Sequence, residues 1–144
     1  GPEAQEIIDQ SHAMVPGVKN MASSASSIVQ HRGYVKTIRG RHLRFPDKRF
    51  CYKASGLIYQ GTSGDLNKEN IMMVMDTLKG SNSRMLMSIH DEYSNSIAPG
   101  DEHLLQEMKD RIQDRPYLRV PIRIDFSEPS NNWWESTKAK KYTK

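Results

Sequence analysis

The hydrophobic period changes at Gly33, and this change limits the fold more than any other feature of the chain. Upstream, apolar residues recur every three or four positions. Ala4, Ile7 and Ile8, with Ser11 and Val15 on the same side, mark a helix over Glu3–Met14. Met21, Ala22, Ala25, Ile28 and Val29 mark a second over Val18–Gln30. Pro16-Gly17 separates the two, and Gly33 suits a C-terminal stop. Downstream, Tyr34–Ile38 and His42–Phe45 are short extended runs around Arg39-Gly40-Arg41, the pattern of a hairpin, which Pro46-Asp47 ends.

Phe50–Gln60 fits neither period cleanly. After Gly61, Thr62 or Ser63 is placed to cap a helix to about Lys79, with Leu66, Ile71, Val74, Met75 and Leu78 inward. Met85, Met87 and Ile89 predict a strand, and Tyr93–Ile97 its antiparallel partner across a turn holding Asp91 and Glu92. Pro99-Gly100 leads into a helix with Leu104, Leu105, Met108 and Ile112 inward. Leu118, Val120, Ile122, Ile124 and Phe126 alternate strictly and predict a last strand, with Pro121 at an edge or non-bonded position. A polar tail from Ser127 carries Trp133-Trp134 and then Lys138, Lys140, Lys141 and Lys144. Helices, hairpin, helix, hairpin, helix and strand together predict an α+β fold with a small antiparallel sheet.

Composition narrows the function. The 144 residues carry a net charge of +4, but His31–Lys53 holds eight basic residues against Asp47 alone, a local charge of +7. The remaining 13 basic and 16 acidic residues sum to −3, which excludes a uniformly basic, histone-like protein. A local polyanion site is the expectation. Cys51 stands alone, so an intramolecular disulfide and a Cys-cluster zinc site are excluded and a reducing compartment is expected. No apolar run approaches the ~20 residues of a membrane span, and no signal peptide is recognisable. An apolar fraction of 36% is low for a self-sufficient core. Gly1-Pro2 reads as the scar of a cleaved tag, with the chain beginning inside a longer reading frame.

Three segments bear on chemistry. Ser88-Ile89-His90-Asp91-Glu92-Tyr93 puts adjacent carboxylates at a hairpin tip, a hard oxygen site suited to Mg²⁺ or Mn²⁺, or else an ordinary polar turn. Gln60-Gly61-Thr62-Ser63-Gly64-Asp65 offers either a helix N-terminus open to phosphate or a plain capped helix start; the Gly-Lys-Ser/Thr ending of a P-loop is missing. Arg39-Gly40-Arg41-His42-Leu43-Arg44 is either a phosphate-binding or a merely solvated hairpin, with Arg39, Arg41 and Arg44 on exposed surfaces.

In order, Glu3-Ala4-Gln5, Pro16-Gly17-Val18, Gly33-Tyr34-Val35-Lys36-Thr37, Gly40-Arg41, Pro46-Asp47, Lys53-Ala54, Gln60-Gly61-Thr62 with Asp65, His90-Asp91-Glu92 and Val120-Pro121 through Trp133 resemble the C-terminal portion of family A DNA polymerases. The resemblance spans nearly the whole chain, and His90-Asp91-Glu92 matches the family's motif C. It implies two fingers-type helices and a basic hairpin before a palm-type sheet: residues 1–2 as tag scar, 3–50 as partial fingers, 51–144 as partial palm. It implies Asp91 as a metal ligand and Glu92 as an auxiliary carboxylate, the catalytic pair of this chain. His90 is implied near the primer terminus, Gln60 at the minor groove, and Arg41 and Lys53 near DNA, with Arg39 and Arg44 beside them. Gly56 stands where the family usually has Asn.

The family's upstream Asp-Tyr-Ser motif, its triphosphate-gripping fingers helix and its thumb are absent from the sequence. The expectation is a phage-type polymerase C-terminus, truncated or from a split gene, that does not polymerise DNA alone. Its partners would be primer-template DNA, dNTP in the completed enzyme, and a polypeptide carrying the missing motifs or a second copy of itself. Mg²⁺ would be the cofactor of the completed enzyme only, in the cytoplasm of a bacterium or phage-infected cell, with no membrane partner. The alternatives are a non-catalytic DNA- or protein-binding derivative of a polymerase C-terminus and an unrelated basic α+β domain.

Overall fold

The computed structural model describes residues 1–138 and 141–142. It is α+β and divides into two compact units, Gly1–Leu66 and Asn67–Lys144. Residue 50 lies inside the first unit.

The first unit opens with α1 (Pro2–Met14) and α2 (Pro16–Arg32), separated by Val15 alone. Pro16 therefore starts the second helix instead of only breaking the first, since its missing N–H costs nothing in a first turn. Gly33 ends α2 at φ 77°, and its N–H donates to the Val29 carbonyl at 2.8 Å. That left-handed conformation is easy only without a Cβ. β1 (Tyr34–Lys36) and β2 (His42–Arg44) pair antiparallel in the register Tyr34↔Arg44, Val35↔Leu43, Lys36↔His42. A 3-10 helix (Lys48–Lys53) follows, capped where the Asp47 carboxylate accepts the Arg49 N–H at 2.9 Å.

Ala25, Val29, Val35, Phe45 and Ala54 form the buried core of this unit, with Leu43, Cys51 and Ile58 against it. One face of the β1–β2 hairpin is thus committed to the core and the other to solvent, as a period of two requires. The apolar stripe of α1 finds no such cover: Ile7 is 67% and Ile8 46% exposed.

α3 (Ala54–Leu78) begins eight residues before the expected cap and runs through Gly61 and Gly64. The glycines that read as a helix start are interior, so no helix N-terminus faces a phosphate at Gln60–Asp65. Gly61 serves a different approach. It is buried, and a Cβ there would sit 2.8 Å from Thr37 Cγ2 and 3.1 Å from Leu43 Cδ1. The hairpin packs directly on the helix backbone. At Gly64 nothing lies within 4 Å. Gly61→Val is accordingly expected to destabilise by about 2 kcal/mol through overpacking. Gly64→Ala should stabilise by about 0.5–1 kcal/mol through helix propensity. Denaturant unfolding of the pair checks this; equal stability of Gly61→Val and the parent chain would disprove the close approach.

In the second unit, β3 (Arg84–Ile89) and β4 (Glu92–Ser96) form an antiparallel hairpin with a bulge between Met85 and Met87. α4 (His103–Gln113) follows. Val74, Leu78, Leu104, Met108 and Ile112 are its buried core. Met75, expected inward, is 53% exposed. The last strand predicted over 118–126 does not form: β5 is only Phe126–Ser127, paired with β6 (Lys141–Tyr142), after irregular chain. The alternation there is real but one-sided. Ile122 and Ile124 pack on the core, and the Ile124 N–H donates to Gln113 Oε1 at 3.2 Å in place of a ladder. α5 (Trp133–Lys138) carries Trp133 and Trp134, both exposed. Lys140 and Lys144 lie outside the described residues.

Candidate functional site

Two hairpins carry most of the residues singled out by the sequence, with Lys53 in the 3-10 helix and Gln60 on α3. In the second unit Ile89 pairs with Glu92, which leaves His90 and Asp91 as a two-residue turn. Glu92 thus opens β4 rather than sharing the turn. His90 has φ 55°, the only positive value at a non-glycine among the described residues. A histidine in this region is strained unless its neighbours hold it. They do: Asn67 of α3 donates from Nδ2 to the His90 carbonyl at 2.9 Å, and the Tyr93 hydroxyl donates to Asn67 Oδ1. The amide of Asn67 is fixed at both ends and clamps the tip of the hairpin to the helix. Partial burial pushes the Tyr93 hydroxyl above its usual pKa, and the charge of Asp91 adds to the rise, so it stays a donor across the physiological range. The pairing of Asn67 with Tyr93 was not read from the sequence; their spacing of 26 residues across two elements gives no local signal.

His90, Asp91 and Glu92 are all exposed. No group of three or more His, Cys, Asp or Glu residues suited to a metal occurs among the described residues. One hard carboxylate on a fixed turn, with a second at the start of the adjoining strand, still matches the way Mg²⁺ is commonly held, by one or two carboxylates with water and substrate phosphate completing the shell.

The β1–β2 hairpin of the first unit divides its basic residues into two groups. Arg41 is turned onto α3: its Nε lies 2.8 Å from Asp65 Oδ1, and its Nη2 donates to the Gly61 carbonyl at 2.9 Å. The Ile38 N–H donates to Thr62 Oγ1 at 3.2 Å, and Gly40 makes the turn at φ 82°. Arg41 therefore docks the hairpin, with its charge already matched. Arg49 is likewise matched by Asp47, whose carboxyl it holds below its usual pKa. Lys53 lies over the Phe50 and Tyr52 rings, at 4.8 and 5.7 Å.

Arg44, Lys36 and Arg32 face solvent. The Arg32 guanidinium sits 4.8 Å over the Tyr34 ring, and Tyr34 stacks on His42 with centroids 4.4 Å apart. Desolvation, then the charges of Lys36, Arg44 and Arg32, lower the His42 pKa. Gln60 is exposed on α3, and Arg39 is exposed at the hairpin turn.

An α+β chain with a clamped acidic turn in one unit and a basic hairpin in the other has close counterparts among polymerases. The family description DNA polymerase family A matches residues 1–135. The DNA polymerase DpoZ of Acinetobacter phage SH-Ab 15497 is 51% identical across 100% of this chain, which covers 24% of that relative. The DNA polymerase DpoZ of Salmonella phage PMBT28 is 44% identical, again over 100% of this chain and 24% of the relative. The POL domain of Pol1 from M. smegmatis, in complex with DNA primer-template and dNTP, shares the fold. Its TM-score is 0.77 at 24% identity, over 85% of this chain and 24% of that one. The chain belongs to DNA polymerase family A. It spans about a quarter of the length of the relatives it matches.

Proposed function

We propose that the chain is the C-terminal fingers and palm portion of a DNA-directed DNA polymerase, supplying motif C and primer-template contacts to nucleotidyl transfer. The observation that carries this reading is the exposed Asp91-Glu92 pair, the first on a turn fixed by Asn67 and the second opening β4, in a chain of the polymerase family. In this reading the fingers part covers 3–50 and the palm part 51–144. Asp91, with Glu92 as auxiliary, would hold Mg²⁺, which when bound polarises the primer hydroxyl and offsets the charge of the leaving pyrophosphate. The rest is positioning by the chain itself. The strained carbonyl of His90 is held by Asn67, so the Asp91 side chain leaves a fixed backbone. The His90 ring, exposed beside it, borders the primer terminus. Gln60 meets the minor groove, while Arg39, Arg44 and Lys53 border the DNA path and Arg41 sets the hairpin that carries two of them.

The polypeptide partner would carry the missing aspartate, fingers helix and thumb, in the cytoplasm of a bacterium or infected cell. No helix among the described residues is long and apolar enough to cross a membrane. The test is primer extension with Mg²⁺. The chain alone is expected to extend nothing, and adding the missing portion should produce extension. Extension by the chain alone would refute the division of labour, and no gain on addition would refute complementation.

The exposed apolar face of α1 supports a second reading, a non-catalytic binding protein. Asp91→Ala separates the two: a pure binder keeps its function, whereas a polymerase part loses it.

A further inference from the structure

Arg32, Lys36 and Arg44 stand apart from Arg41 and Arg49 of the +7 segment. Arg41 and Arg49 are each within 2.8 Å of a carboxylate, whereas no carboxylate pairs with these three among the described residues. The register explains their grouping. Tyr34 opposes Arg44 and Lys36 opposes His42, so all four share the hairpin face opposite Val35 and Leu43. Arg32 reaches the same face from the end of α2, donating from Nε to the Tyr34 carbonyl at 3.1 Å while its guanidinium covers the ring. The result is an exposed imidazole with one ring face backed by Tyr34 and three unmatched cations around it.

Cations alone would suit any polyanion. An exposed aromatic face adds a preference, because only a base outside a duplex can lie on it.

We propose that the solvent face of the β1–β2 hairpin is a seat for single-stranded DNA, with phosphates on Arg32, Lys36 and Arg44 and one base stacked on His42. The seat rests on the reading of the basic segment as a DNA contact and extends it: the strand is single, and Tyr34, His42, Lys36 and Arg32 join Arg44 in holding it. Arg41 is a positioning residue of the seat, through Asp65 and the Gly61 carbonyl.

The experiment measures binding by the full chain, so it is independent of whether nucleotidyl transfer follows. Fluorescence anisotropy would compare oligo-dT with an abasic strand of equal length and with a duplex. Oligo-dT should bind about tenfold more tightly than the abasic strand. His42→Ala should erase that preference without weakening the abasic strand, and His42→Trp should restore it, which separates lost stacking from lost folding. Lys36→Gln with Arg44→Gln should weaken both strands and flatten the log–log salt slope by about 1.4, at about 0.7 per phosphate for single strands. Equal affinity for oligo-dT and the abasic strand, an unaltered preference in His42→Ala, or an unaltered salt slope would each overturn the seat. Duplex binding as tight as oligo-dT would overturn its single-stranded character while leaving the basic segment a DNA contact.

Discussion

Glu69→Ala is expected to cost about 3 kcal/mol of stability, far more than an exposed glutamate on a helix would. The reason is Arg115. Its side chain is 2% exposed, and Glu69 Oε2 lies 3.2 Å from its Nη1. Arg115 also donates to Asn70 Oδ1, and Tyr117 donates to the same Glu69 oxygen at 2.9 Å. A guanidinium taken out of water is tolerable only while its carboxylate remains; removing that partner leaves a buried charge uncompensated. Glu69 itself is about a quarter exposed, which places the cost at the lower end of the range for buried pairs. Denaturant unfolding with an unchanged slope should show the loss. Replacing both partners together, Glu69→Leu with Arg115→Met, should recover most of it. A loss below about 1 kcal/mol in the single variant would mean that Arg115 reaches water and that the pair is an ordinary surface contact.

That pair is a sample of what the amino-acid order does not display. Its partners lie 46 residues apart, and an arginine after a helix reads as a solvated C-terminal charge until the fold buries it. Local periodicity, by contrast, was enough for α1, α2, α4 and both hairpins; in α2, α4 and the β1–β2 hairpin the repeated apolar positions lie on a buried face, whereas the stripe of α1 is exposed. It failed where a local signal had a tertiary cause. Gly61 looked like punctuation, but its missing Cβ makes room for Thr37 and Leu43, so α3 passes through it unbroken. The alternation of 118–126 looked like a strand, but irregular chain packs only Ile122 and Ile124 of that series on the core and leaves Val120 74% exposed, with the Gln113 side chain in place of a ladder.

The candidate sites divide in the same way. The hairpin with Asp91 at its turn was legible in His90-Asp91-Glu92, although the turn is His90-Asp91 and Glu92 belongs to β4; the Asn67–Tyr93 clamp that fixes it was not. The basic segment was legible as a charge. Which of its members are already matched depended on Asp65 and Asp47, and the structure moves the emphasis from Arg41 to Arg32, Lys36 and Arg44.

On the proposed function, Asp91→Ala is expected to lower primer extension by a complete polymerase carrying this chain by roughly 10³-fold, about 4 kcal/mol of transition-state stabilisation. Asp91 sits in the two-residue turn, where a side chain has no strand neighbour to pair with, and it is exposed, so truncation removes chemistry and little packing. Glu92 is different. It begins β4 opposite Ile89, held in the ladder, and in its proposed role of auxiliary carboxylate its change to Ala should cost roughly 10-fold to 100-fold. Asn67→Ala tests the clamp: with the His90 carbonyl released, the turn is free to leave its left-handed conformation, and extension should fall by roughly 10-fold with Mg²⁺ demand raised. Steady-state extension against Mg²⁺ concentration separates the three. Loss of ligand charge in Asp91→Ala should survive saturating metal, whereas loss of positioning in Asn67→Ala should be partly recovered by it. If Asp91→Ala extends primers within tenfold of the parent, the turn is not the metal-binding motif of this polymerase, whatever the clamp contributes to its shape.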